Sequence, residues 1–364
     1  MTRPIPRPRR FARRIFLLLT LIGIGSAIWW FGFRNRNRDG RRELPPVIEL
    51  IRVESGQRPI MGTLGRIVLY TEDQVTGRAA IEAAFARGQE ISEICTDYNP
   101  ESELMKLSSA PINEPVPVSP TLAAVLMHAR ATAELTEGAF DPTLGPLTKL
   151  WRRARRQKEL PSPDQLASAR LVANWKNLEV DLEDQFVTLK EENMLLDLGG
   201  IAKGFAADEM MGVLHQHGIR SALVALAGDI RLGAPPPGRT GWRVGIKTLG
   251  PKLEQIIVVS NCAISTSGDL EQFIEIEGVR YSHIINPATG LGLTRRIAAT
   301  VMAPTAVQSD PFATYCCINP EQALNLFHDG ELSCRIVVLR RGIPVDEATP
   351  QFPQVFAPSR TLAP

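Results

Sequence analysis

The chain has 364 residues, 44% of them hydrophobic and 22% charged, which places it among ordinary globular proteins with apolar material for one sizeable core or two modest ones. Its net charge is only +2, and Arg3, Arg7, Arg9, Arg10, Arg13 and Arg14 crowd the first fourteen residues, so the remainder is slightly acidic. Such a balance offers no basic footprint for a nucleic acid, and no nucleic-acid partner is expected.

After the basic segment 1–14, Ile15 to Phe33 runs nineteen residues without a charge. At about 1.5 Å rise per residue a helix of that length just crosses a hydrocarbon core of roughly 30 Å. The stretch is longer than the apolar core of a typical cleavable signal, ends in Trp29, Trp30 and Phe31, and shows no convincing small-x-small cleavage site. It is therefore expected to be an uncleaved transmembrane anchor. Arginines flank both ends, with a slight excess on the N-terminal side, which favours an inside N-terminus and an extracytoplasmic catalytic domain. No cysteine lies near the span, which excludes a lipid-modified cysteine as the attachment.

Residues 34–46 are polar, arginine-rich and closed by Pro45-Pro46, as suits a linker. The catalytic domain is expected over 47–342, and 343–364, with five prolines and little periodicity, is expected to be an irregular tail. Within the domain, apolar spacing predicts helices over Ala79–Cys95, Pro120–Leu135 and Ala202–Leu214. Short strands are predicted at Ala222–Leu226, Trp242–Ile246, Ile256–Val259 and Ala298–Met302. The fold class is α+β. With no Pro/Gly/Ser-rich divider and no internal repeat, one composite domain of two lobes is expected. Cys95, Cys262, Cys316, Cys317 and Cys334 form no metal-ligand spacing and are odd in number, so most read as small core residues, with one pair able to bridge if the domain faces an oxidising compartment.

Three distant segments together carry the chemistry. In Asp197-Leu-Gly-Gly-Ile-Ala-Lys-Gly204, an apolar strand ending at Leu196 is expected to give way to a glycine pair and then a helix. That geometry aims amides and a helix N-terminus at a ligand, and Lys203 can reach a phosphate as a point charge. Alone, the segment is equally a strand-turn-helix junction with a surface lysine. In Tyr281-Ser-His-Ile-Ile-Asn-Pro-Ala-Thr-Gly290, a strand runs into an Asn-Pro turn, and His283 is a candidate base for a hydroxyl nucleophile. A lone strand histidine is more often structural. In Ser309-Asp-Pro-Phe-Ala-Thr314, Pro311 suits a first helical turn with Asp310 as N-cap. Asp310 and Thr314, four apart, can face one way, and with a carbonyl they form a hard oxygen site of the kind Mg²⁺ accepts. The same aspartate serves equally as a plain cap. Met61-Gly-Thr, Tyr98 and Gly138-Ala-Phe-Asp141-Pro could hold the organic part of a ligand, by ring sandwiching and by hydrogen bonds to Asp141. Thr266-Ser-Gly-Asp269 and Ala227-Gly-Asp229 read as tight polar turns without an individual role.

Taken in order from Met61 to about Leu326, these segments resemble the FAD:protein FMN transferase family, also called the ApbE family. The resemblance implies a protein that binds FAD with Mg²⁺ on the diphosphate. It passes FMN to a threonine or serine hydroxyl of an acceptor flavoprotein subunit and releases AMP. It also implies metal ligation by the Gly200 carbonyl, Asp310 and Thr314, FAD contacts from Met61, Tyr98, Ala139, Phe140, Asp141, Asp197, Lys203 and Ile285, and His283 as base. This chain departs from the family pattern at Ala313, where some members carry a second acid, at Asn286 in place of an aspartate, and at Ala227-Gly228 in place of a glycine pair. Many members are lipid-anchored through a cysteine. Two other readings fit the same residues: an FAD diphosphatase that uses water, and a flavin-binding or trafficking protein without turnover, although binding alone requires no base.

Overall fold

The computed structural model describes residues 49–250, 255–269 and 272–357. The expected anchor at 15–33, its basic flank and the linker therefore lie outside the described residues. Among the described residues no helix is long and apolar enough to cross a membrane. From Leu50 onward the chain forms one compact unit.

β-Branched and other apolar residues build a nine-stranded, wholly antiparallel sheet, with burial alternating along Ala222–Leu226 and almost continuous along Ile297–Ala303 and residues 333–339. Its strands are β1 (Ile51–Glu54), β2 (Arg58–Ile60), β3 (Thr63–Thr71), β4 (Ala222–Leu226), β5 (Asp229–Leu232), β6 (Ala263–Gly268), β7 (Ile297–Ala303), β8 (Ser333–Arg340) and β9 (Ile343–Ala348). The order is β1-β3-β4-β5-β6-β7-β8-β9, with β2 also on β3. Sequence neighbours are mostly spatial neighbours, and the site segments arrive as insertions between them. The longest insertion joins β3 to β4 and holds, among other helices, α1 (Gln74–Cys95), α2 (Pro120–Leu135), α3 (Gly145–Gln157) and α4 (Ala202–Gln216) in chain order, with a small three-stranded sheet. Another, residues 269–296, leaves β6 and returns in β7 beside its start, since Gly268 pairs with Ala298.

Asp269 closes that second insertion. Its backbone N–H donates to Ile297 O at 3.2 Å, and its carboxylate accepts from Ile297 N at 3.2 Å. The same buried carboxylate ion-pairs with Arg280 Nε at 3.1 Å and Arg296 Nε at 2.6 Å. What reads as a simple polar turn is thus a buried charge cluster.

Helix α5 (Ala306–Ile318) follows β7 and is buried at eleven of its thirteen residues. The sequence makes Asp310 an N-cap; the structure places it inside the helix, which begins at Ala306. Proline tolerance at a first turn is a local signal, and here distant chemistry overrides it. Asp208 of α4 accepts hydrogen bonds from Ala306 N at 3.0 Å and Val307 N at 2.8 Å, so a residue from another helix caps α5. Burial of Phe312, Tyr315 and the cysteine pair then outweighs the roughly 3 kcal/mol that an internal proline costs.

Two further expectations change. No strand ends at Leu196: Leu195 makes only an isolated bridge to Leu144, although Met194, Leu196 and Leu198 are alternately buried as a strand would have them. Nor is the segment after residue 342 irregular from its start, because β9 pairs along β8 with Pro344 opposite Leu339. An edge strand tolerates proline where the missing N–H would face solvent. The predicted helix over Pro120–Leu135 and strands over Ala222–Leu226 and Trp242–Ile246 have the observed bounds. All five cysteines are buried with free thiols.

Candidate active site at the crossing of two helices

Helices α4 and α5 cross at Gly204. A Cβ at this position would sit 2.1 Å from Ala306 O and 2.8 Å from Asp310 Cβ, so only glycine permits the approach. The crossing places Gly204 N 3.0 Å from Asp310 Oδ2. Lys203 Nζ lies 3.4 Å from that same oxygen and 2.7 Å from Asp229 Oδ2. Three charges therefore meet at the N-terminus of α4, where the helix dipole also favours an anion.

Burial pushes the Asp310 carboxyl up to about 6, with Asp229 adding to the effect and Lys203 and the Gly204 amide opposing it. Burial works against the Lys203 charge, but attraction and hydrogen bonding from Asp229 and Asp310 outweigh it and hold its pKa above the ordinary lysine value. Lys203 is thus a fixed cation held by two acids.

The glycine turn ahead of α4 is braced by Asp197. Its Oδ1 accepts from Gly199 N at 2.8 Å and its Oδ2 from Thr148 Oγ1 at 2.6 Å, which ties the turn to α3. A Cβ on Gly200 would lie 3.2 Å from Phe140 Cε2 and 3.9 Å from Thr314 Oγ1. Gly200, Phe140 and Thr314 therefore converge, and Thr314 Oγ1 shares a 3.4 Å contact with Ser267 Oγ. Four of the predicted residues, Gly200, Lys203, Asp310 and Thr314, stand together as one cluster. Among the described residues no group of three or more His, Cys, Asp or Glu could hold a metal. A carboxylate, a hydroxyl and a nearby backbone segment are instead a sparse oxygen set, which fits a hard cation that keeps waters and shares a substrate phosphate.

His283 sits on the insertion between β6 and β7. Its Nδ1 lies 3.1 Å from Gln272 O. A carbonyl only accepts, so Nδ1 carries the proton and Nε2 of the neutral ring is left with its lone pair. Burial by the surrounding protein lowers the His283 pKa, the Gln272 bond opposes this, and Lys203 and Arg155 add to the lowering. The imidazole still reaches solvent. Its segment is fixed by an Asn286 turn, with Gly290 N donating to Asn286 O at 2.8 Å, and by Trp151 of α3, whose Nε1 donates to Gly290 O at 2.7 Å.

The remaining predicted residues differ in how free they are. Tyr98 is 78% exposed, with the Arg152 guanidinium 4.1 Å from its ring centroid. Met61 and Gly62 form the two-residue turn between β2 and β3, with φ of 50° and 69°. A methionine in this left-handed region is a local strain of the kind found near ligand sites. Ala139 is half-buried beside buried Phe140, and Ile285 packs with Trp151 and Tyr281. Asp141 is committed internally: it accepts from Thr143 N at 2.8 Å, Thr143 Oγ1 at 2.6 Å and Trp175 N at 3.2 Å. A polar cavity of about 360 Å³ lined by Arg52, Arg58, Arg78 and Glu82 lies elsewhere and shares no residue with this cluster.

Sequence reasoning left Asp229, Ser267 and Asp208 without roles. The first two lie in the Ala-Gly-Asp and Thr-Ser-Gly-Asp segments, so their polar, glycine-linked context was a usable signal, although Thr266-Ser-Gly is the end of strand β6 and not the tight turn expected. Asp208 had none, because its partners are 98 and 99 residues away.

Comparison with known proteins identifies the family. A family model described as the ApbE family matches residues 61–336. A protein of Treponema pallidum named FAD:protein FMN transferase is 33% identical over 321 residues, covering 82% of this chain and 83% of the relative. One of the same name from Vibrio cholerae is 31% identical over 265 residues, covering 70% of this chain and 78% of the relative. Among solved structures, the ApbE protein of Thermotoga maritima superposes with a TM-score of 0.74 at 27% identity, covering 83% of this chain and 97% of that one. The flavin transferase ApbE of Vibrio cholerae gives 0.73 at 27% identity, with 83% and 98% covered. Sequence, fold and relatives thus converge, and the chain belongs to the ApbE family.

Proposed function

We propose that this protein transfers the FMN half of FAD to a threonine or serine hydroxyl of an acceptor flavoprotein subunit and releases AMP. The observation that carries the reading is the meeting of Gly200, Lys203, Asp310 and Thr314 at the start of α4, in a chain whose relatives are named for this transfer.

In this reading Asp310, Thr314 and the Gly200 carbonyl would hold Mg²⁺, which would supply neutralisation of the diphosphate charge when bound. Lys203 and the amides at the α4 N-terminus face the same phosphates and stabilise charge that builds on the phosphoryl oxygens in the transition state. Met61, Tyr98, Ala139, Phe140 and Ile285 take the organic part of FAD, while Asp141 and Asp197 keep the surrounding turns in shape. His283 Nε2 accepts the proton of the acceptor hydroxyl. That oxygen forms a bond to the FMN phosphorus as the phosphorus–oxygen bond to AMP breaks, and AMP leaves with the electron pair. The apolar run 15–33 and its arginine flanks support attachment to a membrane with the domain outside, which protease access in intact cells would test.

The deciding experiment incubates the full-length chain with FAD, Mg²⁺ and a threonine-containing acceptor, and reads products by mass spectrometry. A mass gain of one FMN on the acceptor, with AMP released and both lost in EDTA, is the expected result. Free FMN and AMP without labelling would replace the transferase with a diphosphatase, and intact FAD would leave a binding protein.

A further inference from the structure

The three-charge cluster contains one member that neither the metal site nor the base requires. Asp229 is 5% exposed, and its Oδ2 is the nearer of the two acids to Lys203, at 2.7 Å against 3.4 Å for Asp310. Its place is set by backbone. It opens β5 directly after the β4 turn, where Ala227 has φ 53°, and it pairs in register with Leu226 and Ser265. Gly228 lies so close to β6 that an added Cβ would be 3.0 Å from Thr266 O. Asp229 is therefore held between two strands, whereas Lys203 hangs on a flexible four-carbon stem. The rigid partner determines where the flexible one rests.

Asp310 offers the complementary observation. Lys203 Nζ and Gly204 N both approach its Oδ2, and among the described residues its Oδ1 accepts no hydrogen bond. The ammonium sits at a marginal distance from Asp310 because a shorter bond holds it on the other side. Were that bond absent, Asp310 would be the lysine's remaining carboxylate. The pair would close into a neutral unit with little attraction for a divalent cation. With Asp229 in place the cluster carries one net negative charge, counted as one lysine against two aspartates.

We infer that Asp229 is a positioning residue that restrains Lys203 from neutralising Asp310, so that Asp310 stays free for a divalent cation while the lysine remains available to the FAD phosphates. This inference rests on the functional reading above and adds to it a residue that acts on the metal site without touching the metal. It differs from a general structural salt bridge, because its effect must vanish when the lysine is absent.

The test is a double-mutant cycle on the full-length chain in the presence of FAD. Binding of Mn²⁺ is read from loss of the free-ion electron paramagnetic resonance signal, alongside thermal melting. Asp229→Asn is expected to weaken Mn²⁺ binding about tenfold, within the usual range for directly coupled residues. In a Lys203→Met background the same substitution is expected to change binding less than about twofold. Asp229→Glu, which moves the carboxylate outward by one methylene, should give an intermediate loss and serves if the asparagine variant does not fold. Unchanged Mn²⁺ binding in Asp229→Asn overturns the inference. So does an equal loss with and without Lys203, which would mean that Asp229 attracts the ion directly. Retention of Mn²⁺ and FAD by the unmodified chain keeps the functional reading standing in both cases, whereas failure of the unmodified chain to bind Mn²⁺ with FAD overturns both.

Discussion

Gly204 and Gly212 lie eight residues apart in α4, and the same substitution should have opposite effects at the two positions. A Cβ at Gly204 would be 2.1 Å from Ala306 O, against an ordinary contact of more than 3 Å, so α4 and α5 must separate by about 1 Å. Overpacking of this kind costs about 1–3 kcal/mol. The separation also stretches the 3.0 Å bond from Gly204 N to buried Asp310, and losing a charged hydrogen bond costs about 1.5–3 kcal/mol. The gain in helix propensity from glycine to alanine returns about 1 kcal/mol. Gly204→Ala should therefore destabilise by about 1.5–5 kcal/mol, a fall in melting temperature of roughly 3–10 °C for a chain of this size. At Gly212 an added Cβ meets nothing within 4 Å, so Gly212→Ala keeps only the propensity gain and should stabilise by up to about 1 kcal/mol. Thermal and urea unfolding of both variants decide the matter. If the two glycines respond alike, the close crossing of α4 and α5 is not what fixes Asp310.

His283→Ala should leave FAD binding within about twofold of the parent, by flavin fluorescence titration, while transfer falls by about 10²–10⁴, the span usual for a general base. The base form must be neutral, and burial, Lys203 and Arg155 all lower its pKa, so the acid limb of kcat/KM should lie below the ordinary histidine value of about 6.5. Replacing Arg155 with Gln removes one of those lowering charges and should move the limb upward; a downward shift would contradict the electrostatics. Asp269→Asn leaves Arg280 and Arg296 facing a neutral buried amide. Because both arginines are partly exposed, the expected loss is about 2–3 kcal/mol by urea denaturation, below that of a fully buried pair.

The glycine turn, the lysine and the acid–threonine pair were legible because their chemistry is local. A glycine pair opening a helix and two side chains four apart are patterns that survive without tertiary knowledge. Helix α2 was legible to the residue because Ser119 and Pro120 mark its start, and Ser119 does accept from Leu122 N at 3.2 Å. The start of α5 was not, since Asp208 and not the residues around Pro311 supplies the cap. Asp229 is a similar case: Ala-Gly-Asp is visible as a turn, but only the sheet brings it to Lys203. The β9 edge was obscured by prolines that an interior strand would reject and an edge strand accepts.

The cap that Asp208 provides also has a bearing on when the site comes into being. The acid and the hydroxyl lie on α5, after β7, and α5 gains its first-turn partners only when α4, some 100 residues earlier in the chain, is already packed against it. Contacts so distant in sequence form late, after local helices and hairpins. A chain ending before residue 306 would own the glycine turn and Lys203 yet lack Asp310, Thr314 and the helix that Asp208 completes. Any nucleotide that needs both halves can bind only the finished fold, and its binding energy then adds to the stability of that fold alone. Ligand capture is in this sense a report that the β7–α5–β8 end of the sheet has closed.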